Sequence, residues 1–180
     1  MDEVKLLRDV IATRIPSGEE TSLHAGDVFA VTQALGGTVT VRDAGGLYRV
    51  ATTDLDALGP EWAKAAAGAV EPLEAGPFSE ETVWEALRQC FDPEIPLNIV
   101  DLGLVYDLAC EERPDGRFDV SVKMTLTATG CGMGPTIAAD ARSRIEAIPA
   151  VAEAAVDIVW DPQWTPHMIS PEGRKVLGLD

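Results

Sequence analysis

One stretch restricts the fold of this chain more than any other, the alternation of apolar and polar residues over residues 118–127. Its apolar positions are Phe118, Val120, Val122, Met124 and Leu126. A period of two predicts a strand with one buried face. The strand leads into a turn centred on Cys131, and apolar residues with helical spacing follow Pro135. The sequence therefore predicts a strand, a glycine-rich turn and a helix in succession.

Cys131 lies in this turn between Gly130 and Gly132. Glycines permit backbone conformations that side chains forbid, and they leave the sulfur uncrowded. The helix predicted after Pro135 places Cys131 near a helix N-terminus, where free N–H groups and the helix dipole stabilise a thiolate. A thiol whose pKa is lowered in this way is suited to reaction or to metal binding. The alternative is that Cys131 is a small buried residue in a tight turn.

Other periodic segments surround this turn. A helix is predicted from Ser79, a good N-cap, until the prolines of residues 92–96 stop it, and a strand is predicted over residues 103–111. A third strand near residues 156–160 and a short C-terminal helix follow the central helix. The order α-β-β-α-β-α predicts an α/β (α+β) fold for residues 79–180, with one layer of helices on one sheet.

Residues 1–59 are divided by turns into short segments with strand propensity. The predicted strands cover residues 7–11, 27–32, 38–41 and 47–51. Glycine pairs at residues 36–37 and 45–46 suit hairpin turns. We expect a small β-rich N-terminal domain over residues 1–59. An Ala/Pro-rich linker over residues 60–78 would join it to the second domain, with a short helix in its alanine-rich part.

The balance of charges excludes several classes of partner. The 180 residues include 14 Lys and Arg against 30 Asp and Glu, a formal net charge of −16. Such an acidic chain is poorly suited to nucleic acids and to anionic membrane surfaces, which both attract cations. No apolar run is long enough to cross a membrane, and the N-terminus lacks the apolar core of a signal peptide. We expect a cytoplasmic protein.

The three cysteines and two histidines limit the metal sites that one chain can form. Cys90 and Cys110 fall on apolar stripes of a predicted helix and a predicted strand, so we assign both to the core. No CxxC pair occurs, and a disulfide framework is not expected. A closed tetrahedral site needs four ligands. A metal at Cys131 would therefore need ligands from a second subunit, a small thiol or a client protein.

Four motifs of the second domain occur in an order that resembles a known family. They are Asp92-Pro93-Glu94-Ile95-Pro96, residues 99–106, residues 124–127 with Gly130-Cys131, and Val159-Trp160-Asp161-Pro162 with Trp164. Together they resemble the small iron–sulfur cluster assembly domain shared by SufT, the cytosolic iron–sulfur targeting proteins and the PaaD subunit of phenylacetate metabolism. Residues 1–59 are similar to the N-terminal extension of SufT proteins.

The resemblance implies maturation of iron–sulfur proteins and not a turnover enzyme. It also implies iron–sulfur assembly proteins and apo client proteins as partners. The family's reactive cysteine maps onto Cys131, and a proline that often follows it is replaced here by Gly132, which gives the loop more freedom. The candidate site residues are Cys131 as metal ligand, Asp92, Glu94, Thr127, Gly130 and Gly132 as supporting loop residues, and Trp160, Asp161 and Trp164 as a possible partner surface.

Three functions fit these residues. The first is transient binding or transfer of a cluster, or of iron, through Cys131. A labile iron–sulfur cluster would then lie between two chains of a homodimer, because one thiolate cannot supply the four ligands of a typical cluster. The second is a metal-free adaptor that presents apoproteins to the assembly machinery. The third is an enzyme with a nucleophilic cysteine, which requires a general base that the sequence does not reveal.

Overall fold

The chain folds into two compact units. A computed structural model describes residues 2–69, 76–128 and 132–179, and of residues 66–69 only the backbone. The first unit comprises Met1–Glu71 with the segment Pro93–Pro96, and the second comprises Pro72–Asp92 with Leu97–Asp180. The predicted fold class is confirmed, since the first unit is built on an antiparallel sheet and the second on a smaller sheet with helices.

The first unit is a six-stranded antiparallel sheet in the order β1-β4-β5-β6-β2-β3. Its strands are β1 (Glu3–Lys5), β2 (Val10–Ile15), β3 (Glu20–Leu23), β4 (Val28–Leu35), β5 (Thr38–Asp43) and β6 (Gly46–Val50). A 3₁₀ helix at Thr52–Leu58 and helix α1 (Pro60–Ala69) follow. Every strand contributes apolar side chains to one core, in which Phe29 and Tyr48 meet edge to face with ring centroids 5.9 Å apart.

The hairpin predictions are confirmed, but the strand predicted over residues 7–11 is right only for residues 10–11, where β2 begins. Gly36 and Gly37, at φ +61° and +78°, form the two-residue turn between β4 and β5, and such turns require positive φ at both positions. The backbone bends at Leu7, between β1 and β2. There the Leu7 N–H donates to the Ala57 carbonyl at 2.8 Å, a bond that removes Leu7 from any strand ladder.

The second unit confirms the predicted order α-β-β-α-β-α. Its elements are α2 (Glu80–Leu87), β7 (Val105–Glu112), β8 (Phe118–Met124), α3 (Gly134–Glu146), β9 (Val151–Ile158) and α4 (Pro171–Leu177). The sheet order is β7-β8-β9, with β7 antiparallel and β9 parallel to β8. Helix α3 packs on β9 and α2 packs on α3. Val120, Val122 and Met124 of β8 are buried, as the alternation predicts, and Phe118 at the start of the strand is half-buried.

Helix α2 begins as predicted and ends earlier than predicted. Ser79 Oγ accepts from the Thr82 N–H at 3.3 Å, as a helix N-cap does. The helix ends at Leu87, because Gln89 and Cys90 bond to carbonyls three residues back and tighten the chain into a turn. None of the helices in the described part of the chain is long and apolar enough to cross a membrane.

Candidate functional site

Cys131 and Gly130 lie outside the described residues, so the residues on either side define where their loop begins and ends. Leu126 continues the line of β8 and is buried. At Gly134, the first residue of α3, an added Cβ would lie 2.8 Å from Leu126 Cδ1. The chain therefore leaves the core at Leu126 and returns beside it. Residues 127–133, in which Thr127 and Gly132 are half-buried, connect these two points.

The first N–H groups of α3 receive no capping hydrogen bond from the side chain of Met133, the residue before the helix. Met133 holds the N-cap position, is buried, and makes no capping hydrogen bond within the described structure. Pro135 lies in the first turn, where a missing N–H costs nothing. The first-turn N–H groups and the positive end of the helix dipole thus lie at the end of the loop that carries Cys131.

Three segments meet at the end of β8, just before residue 126. The Thr125 N–H donates to the Leu104 carbonyl at 2.8 Å, and the Val159 N–H donates to the Met124 carbonyl at 2.8 Å. An open cavity of about 690 Å³ lies beside these bonds. Its lining comprises Gly103, Val105, Tyr106, Lys123, Val159, Asp161, Pro162 and Met168. The lining includes two residues of opposite charge, Lys123 and Asp161.

Gly103 allows two of these segments to approach each other closely. Its φ is +74°, and a Cβ built on it would overlap the backbone carbonyl of Met168. Only glycine accepts both this conformation and this contact without strain. Gly103 therefore fixes the distance between the end of the Asn98–Leu104 segment and the chain at Met168.

Tyr106 joins the same segments by hydrogen bonds. Its Oη donates to the Pro162 carbonyl at 2.8 Å and lies 3.5 Å from Met168 Sδ. Partial burial raises the pKa of the Tyr106 phenol, and the Asp161 carboxylate adds to the rise, while a hydrogen bond with Thr125 opposes it. The phenol is therefore protonated at neutral pH, and it serves as a donor that holds the loop after β9.

The predicted partner surface separates into exposed and anchored residues. Trp160 is 45% exposed and Asp161 is exposed. Trp164 is half-buried, and its indole Nε1–H donates to the Leu102 carbonyl at 2.7 Å. Trp160 and Asp161 are therefore available for contacts, whereas Trp164 fixes the loop that presents them. A role in partner binding stays a prediction for all three residues.

Asp101 forms a polar network that sequence reasoning did not identify. Its carboxylate accepts from Asn98 Nδ2 at 2.7 Å and from Ser170 Oγ at 2.9 Å. The Ser170 hydroxyl in turn accepts from the Gly173 N–H at 3.0 Å and caps helix α4. The network joins the chain before β7 to the C-terminal helix. The spacing of Asn98 and Asp101 was visible in the sequence, but their partner 69 residues away was not.

Asp92 and Glu94 lie in an irregular loop between α2 and β7, and they differ in exposure. Asp92 is only 7% exposed, and its N–H donates to the Leu97 carbonyl at 3.0 Å. This bond closes the loop, because it draws residue 97 back to the start. Glu94 is exposed within the segment that clusters with the first unit, where Thr40 Oγ1 donates to the Pro93 carbonyl at 3.2 Å.

The cysteine assignments hold fully for Cys90 and only partly for Cys110. Cys90 is fully buried, with its Sγ 3.9 Å from the Ile137 carbonyl. Cys110 is half-buried, not a core residue, because it lies on β7 at the edge of the sheet. Burial raises the pKa of the Cys110 thiol, and the Glu80 carboxylate adds to the rise. Among the described residues, no three His, Cys, Asp or Glu side chains gather around a common point.

The three thiols are expected to react with an alkylating reagent in a fixed order. At neutral pH Cys131 should be labelled first, because the helix N-terminus favours its thiolate. Cys110 should follow slowly and accelerate as the pH rises, since its raised pKa leaves little thiolate at neutral pH. Cys90 should react only after unfolding. Peptide mass spectrometry over a time course measures all three rates, and equal rates for Cys110 and Cys131 would contradict the order.

Comparison with known proteins shows which class of protein this chain resembles. A family model described as iron–sulfur cluster assembly protein matches residues 80–158. An Fe–S protein maturation auxiliary factor of Porphyromonas gingivalis is 38% identical over 101 residues, 56% of this chain and 92% of the relative. The Fe–S protein maturation auxiliary factor SufT of Staphylococcus aureus is 40% identical over 88 residues, 49% of this chain and 96% of the relative.

A solved structure agrees with these matches. The crystal structure of a Domain of Unknown Function DUF59 from Bacillus anthracis superposes with a TM-score of 0.51 at 32% identity, covering 56% of this chain and 92% of that chain. The α/β unit and its matches thus define a small iron–sulfur assembly domain. The chain belongs to the iron–sulfur cluster assembly protein family, which confirms the resemblance seen in its four motifs. The first domain, residues 1–59, lies outside the family model, and its likeness to an N-terminal extension stays a prediction.

Proposed function

We propose that this protein is a maturation factor for iron–sulfur proteins that transiently binds and hands on a cluster, or iron, through Cys131. The cluster is its cargo and not a resident cofactor. The observation that carries the proposal is the geometry on either side of the Cys131 segment: Leu126 lies beside Gly134, and α3 begins there without a side-chain cap from Met133. Two relatives are named Fe–S protein maturation auxiliary factors, which supports the same role and a non-catalytic one.

The ligand count favours a carrier over a storage protein. One chain offers Cys131, while Cys90 is buried and Cys110 has a raised thiol pKa. A typical cluster takes four thiolate ligands. Two chains related by a two-fold axis supply two, and small thiols or a client protein supply the others. Ligands of this kind are easily displaced, which suits transfer to a client.

Anaerobic reconstitution with ferrous iron, sulfide and glutathione tests the proposal. We expect visible charge-transfer absorbance and about one cluster per two chains, by the ligand count above. Light scattering after size exclusion should show a dimer only for the loaded protein. A cluster held stably by a monomer would contradict the bridged arrangement, and a protein that stays free of iron would contradict cluster binding.

The metal-free adaptor is the second candidate, and the exposure of Trp160 favours it. A 45% exposed indole beside the exposed Asp161 is the kind of side chain that anchors protein interfaces. As an adaptor, the protein would raise the rate at which an apo client acquires its cluster while iron and sulfide remain absent from the protein itself. Replacing Trp160 with alanine should then reduce client maturation, and replacing Cys131 should not.

A further inference from the structure

Strand β9 has an open edge that lies beside a groove. It pairs with β8 on one side, and within the described chain no strand pairs with its other side. A groove of about 390 Å³ separates this edge from α3. Its lining comprises Ala138, Ala139 and Arg142 of α3 and residues 153–157 of β9. The small side chains of α3 leave room for another backbone beside the strand.

The backbone bonds of β9 show which groups face the groove. The Val159 N–H donates to the Met124 carbonyl at 2.8 Å, so Val159 is directed toward β8. Residues of a strand alternate in direction, and therefore the N–H and C=O groups of Ala154, Val156 and Ile158 point away from β8. The ladder is regular from Asp119 onward, and residues 153–158 contain no proline. Over residues 153–158 the edge thus has neither a proline nor a bulge, two of the features that block strand addition.

The charged residues on the exposed face of the sheet indicate which charge a strand added beside β9 should carry. In one row across the strands, Lys123 stands between Asp107 and Asp157. Asp157 has no ion pair among the described residues, so its carboxylate is available on the groove side. In a second row, Glu111, Asp119 and Glu153 are neighbours. Arg113 forms salt bridges with two of these three carboxylates. Its Nε lies 2.7 Å from Asp119 Oδ1, and its Nη2 lies 3.3 Å from Glu153 Oε2.

These rows favour a basic partner over a second copy of this chain. Antiparallel pairing of two β9 strands would bring two Glu153 and two Asp157 carboxylates to one seam, where Arg113 and Arg142 of each copy already pair with carboxylates of their own chain. Like charges side by side across a sheet are destabilising. An added strand with Lys or Arg beside Glu153 and beside Asp157 would instead complete both rows, and these two positions lie four residues apart on an extended chain.

We propose that the groove between α3 and β9 binds an extended peptide segment of a partner protein, which adds to β9 as a fourth strand. The segment carries basic residues at positions i and i+4 on the outward face and small apolar residues on the face toward α3. Main-chain hydrogen bonds to Ala154 and Val156 provide the affinity, and the carboxylates of Glu153 and Asp157 provide the selectivity. The described lining of the groove comes from residues 138–142 of α3 and 153–157 of β9, so binding at this site requires no iron and is expected in the metal-free protein.

A capped synthetic nonapeptide tests this site on the full-length, metal-free protein. It has valine at its even positions, lysine at its third and seventh positions and threonine elsewhere. We expect saturable binding that weakens with salt, and slowed amide hydrogen exchange at Ala154 and Val156, measured by NMR. The same peptide N-methylated over its five central residues should not bind. Binding without protection of these two amides, or unchanged binding after N-methylation, would overturn the proposal.

Two matched variants test whether the carboxylate of Asp157 selects a basic peptide. Asp157→Asn should weaken binding about threefold, the scale of an exposed ion pair. Asp107→Asn removes the same charge from the other side of Lys123 and should leave binding unchanged. Loss of binding in Asp107→Asn alone would place the peptide on β7 and overturn the assignment to β9. A peptide with glutamate in place of both lysines should bind at least tenfold more weakly, and equal affinity would also overturn it.

Discussion

Replacing Cys131 with serine is expected to abolish cluster binding, with the visible absorbance of the reconstituted protein falling to background. Serine keeps the size of the side chain but removes the soft thiolate that binds cluster iron. The fold should persist, because the described contacts that close the loop are those of Leu126 and Gly134. Parallel measurements of iron, acid-labile sulfide and far-UV circular dichroism separate loss of the ligand from loss of the fold.

Cys110→Ser provides the matched control for that experiment. Cys110 is the other thiol with partial exposure, and burial raises its pKa, so it should contribute no ligand. The variant should take up as much iron as the wild type. A cluster that survives Cys131→Ser but is lost in Cys110→Ser would move the site to β7 and refute the proposed function. The peptide site at β9 should be unaffected by either variant, so the two proposals can fail separately.

Gly103→Ala is expected to lower the free energy of unfolding of the second unit by at least about 3 kcal/mol, or to prevent folding. Two costs combine at this position. The backbone has φ +74°, which an L side chain rarely adopts, and the new Cβ would overlap the Met168 carbonyl. A backbone carbonyl cannot rotate away as a long side chain can. The segment that carries Met168 would have to move away from Gly103, just before the start of β7.

Gly116→Ala is the matched control, because it measures the cost of placing a side chain at a positive φ without any clash. Gly116 has φ +82°, but a Cβ there would meet nothing within 4 Å. Its cost should be only the strain of the left-handed conformation, about 1 kcal/mol. Chemical denaturation gives the free energy of unfolding of both variants. The difference between the two losses is the cost of the clash with the Met168 carbonyl. Equal destabilisation of the two variants would show that this approach is not rigid.

The local spacing of apolar residues and glycines in the sequence determined several helices, strands and turns of this protein. The alternation over residues 118–127 predicted β8 and its buried face, and apolar spacing predicted α3 and the burial of Cys90. Glycine pairs predicted the hairpins of the first unit. These predictions succeed because the period of apolar residues reports the local backbone and the face that must avoid water, and both are properties of neighbouring residues.

Only the tertiary structure decided the features that depend on which segments become neighbours. Trp164 donates a hydrogen bond to the Leu102 carbonyl, 62 residues away, and so anchors the loop that presents Trp160 and Asp161. Cys110 is half-exposed because β7 lies at the sheet edge, although its alternation matches that of a buried strand. The groove beside β9 exists because no described strand follows it in the sheet. Periodicity identifies a buried face, but the position of a strand within a sheet depends on contacts between segments far apart in the chain.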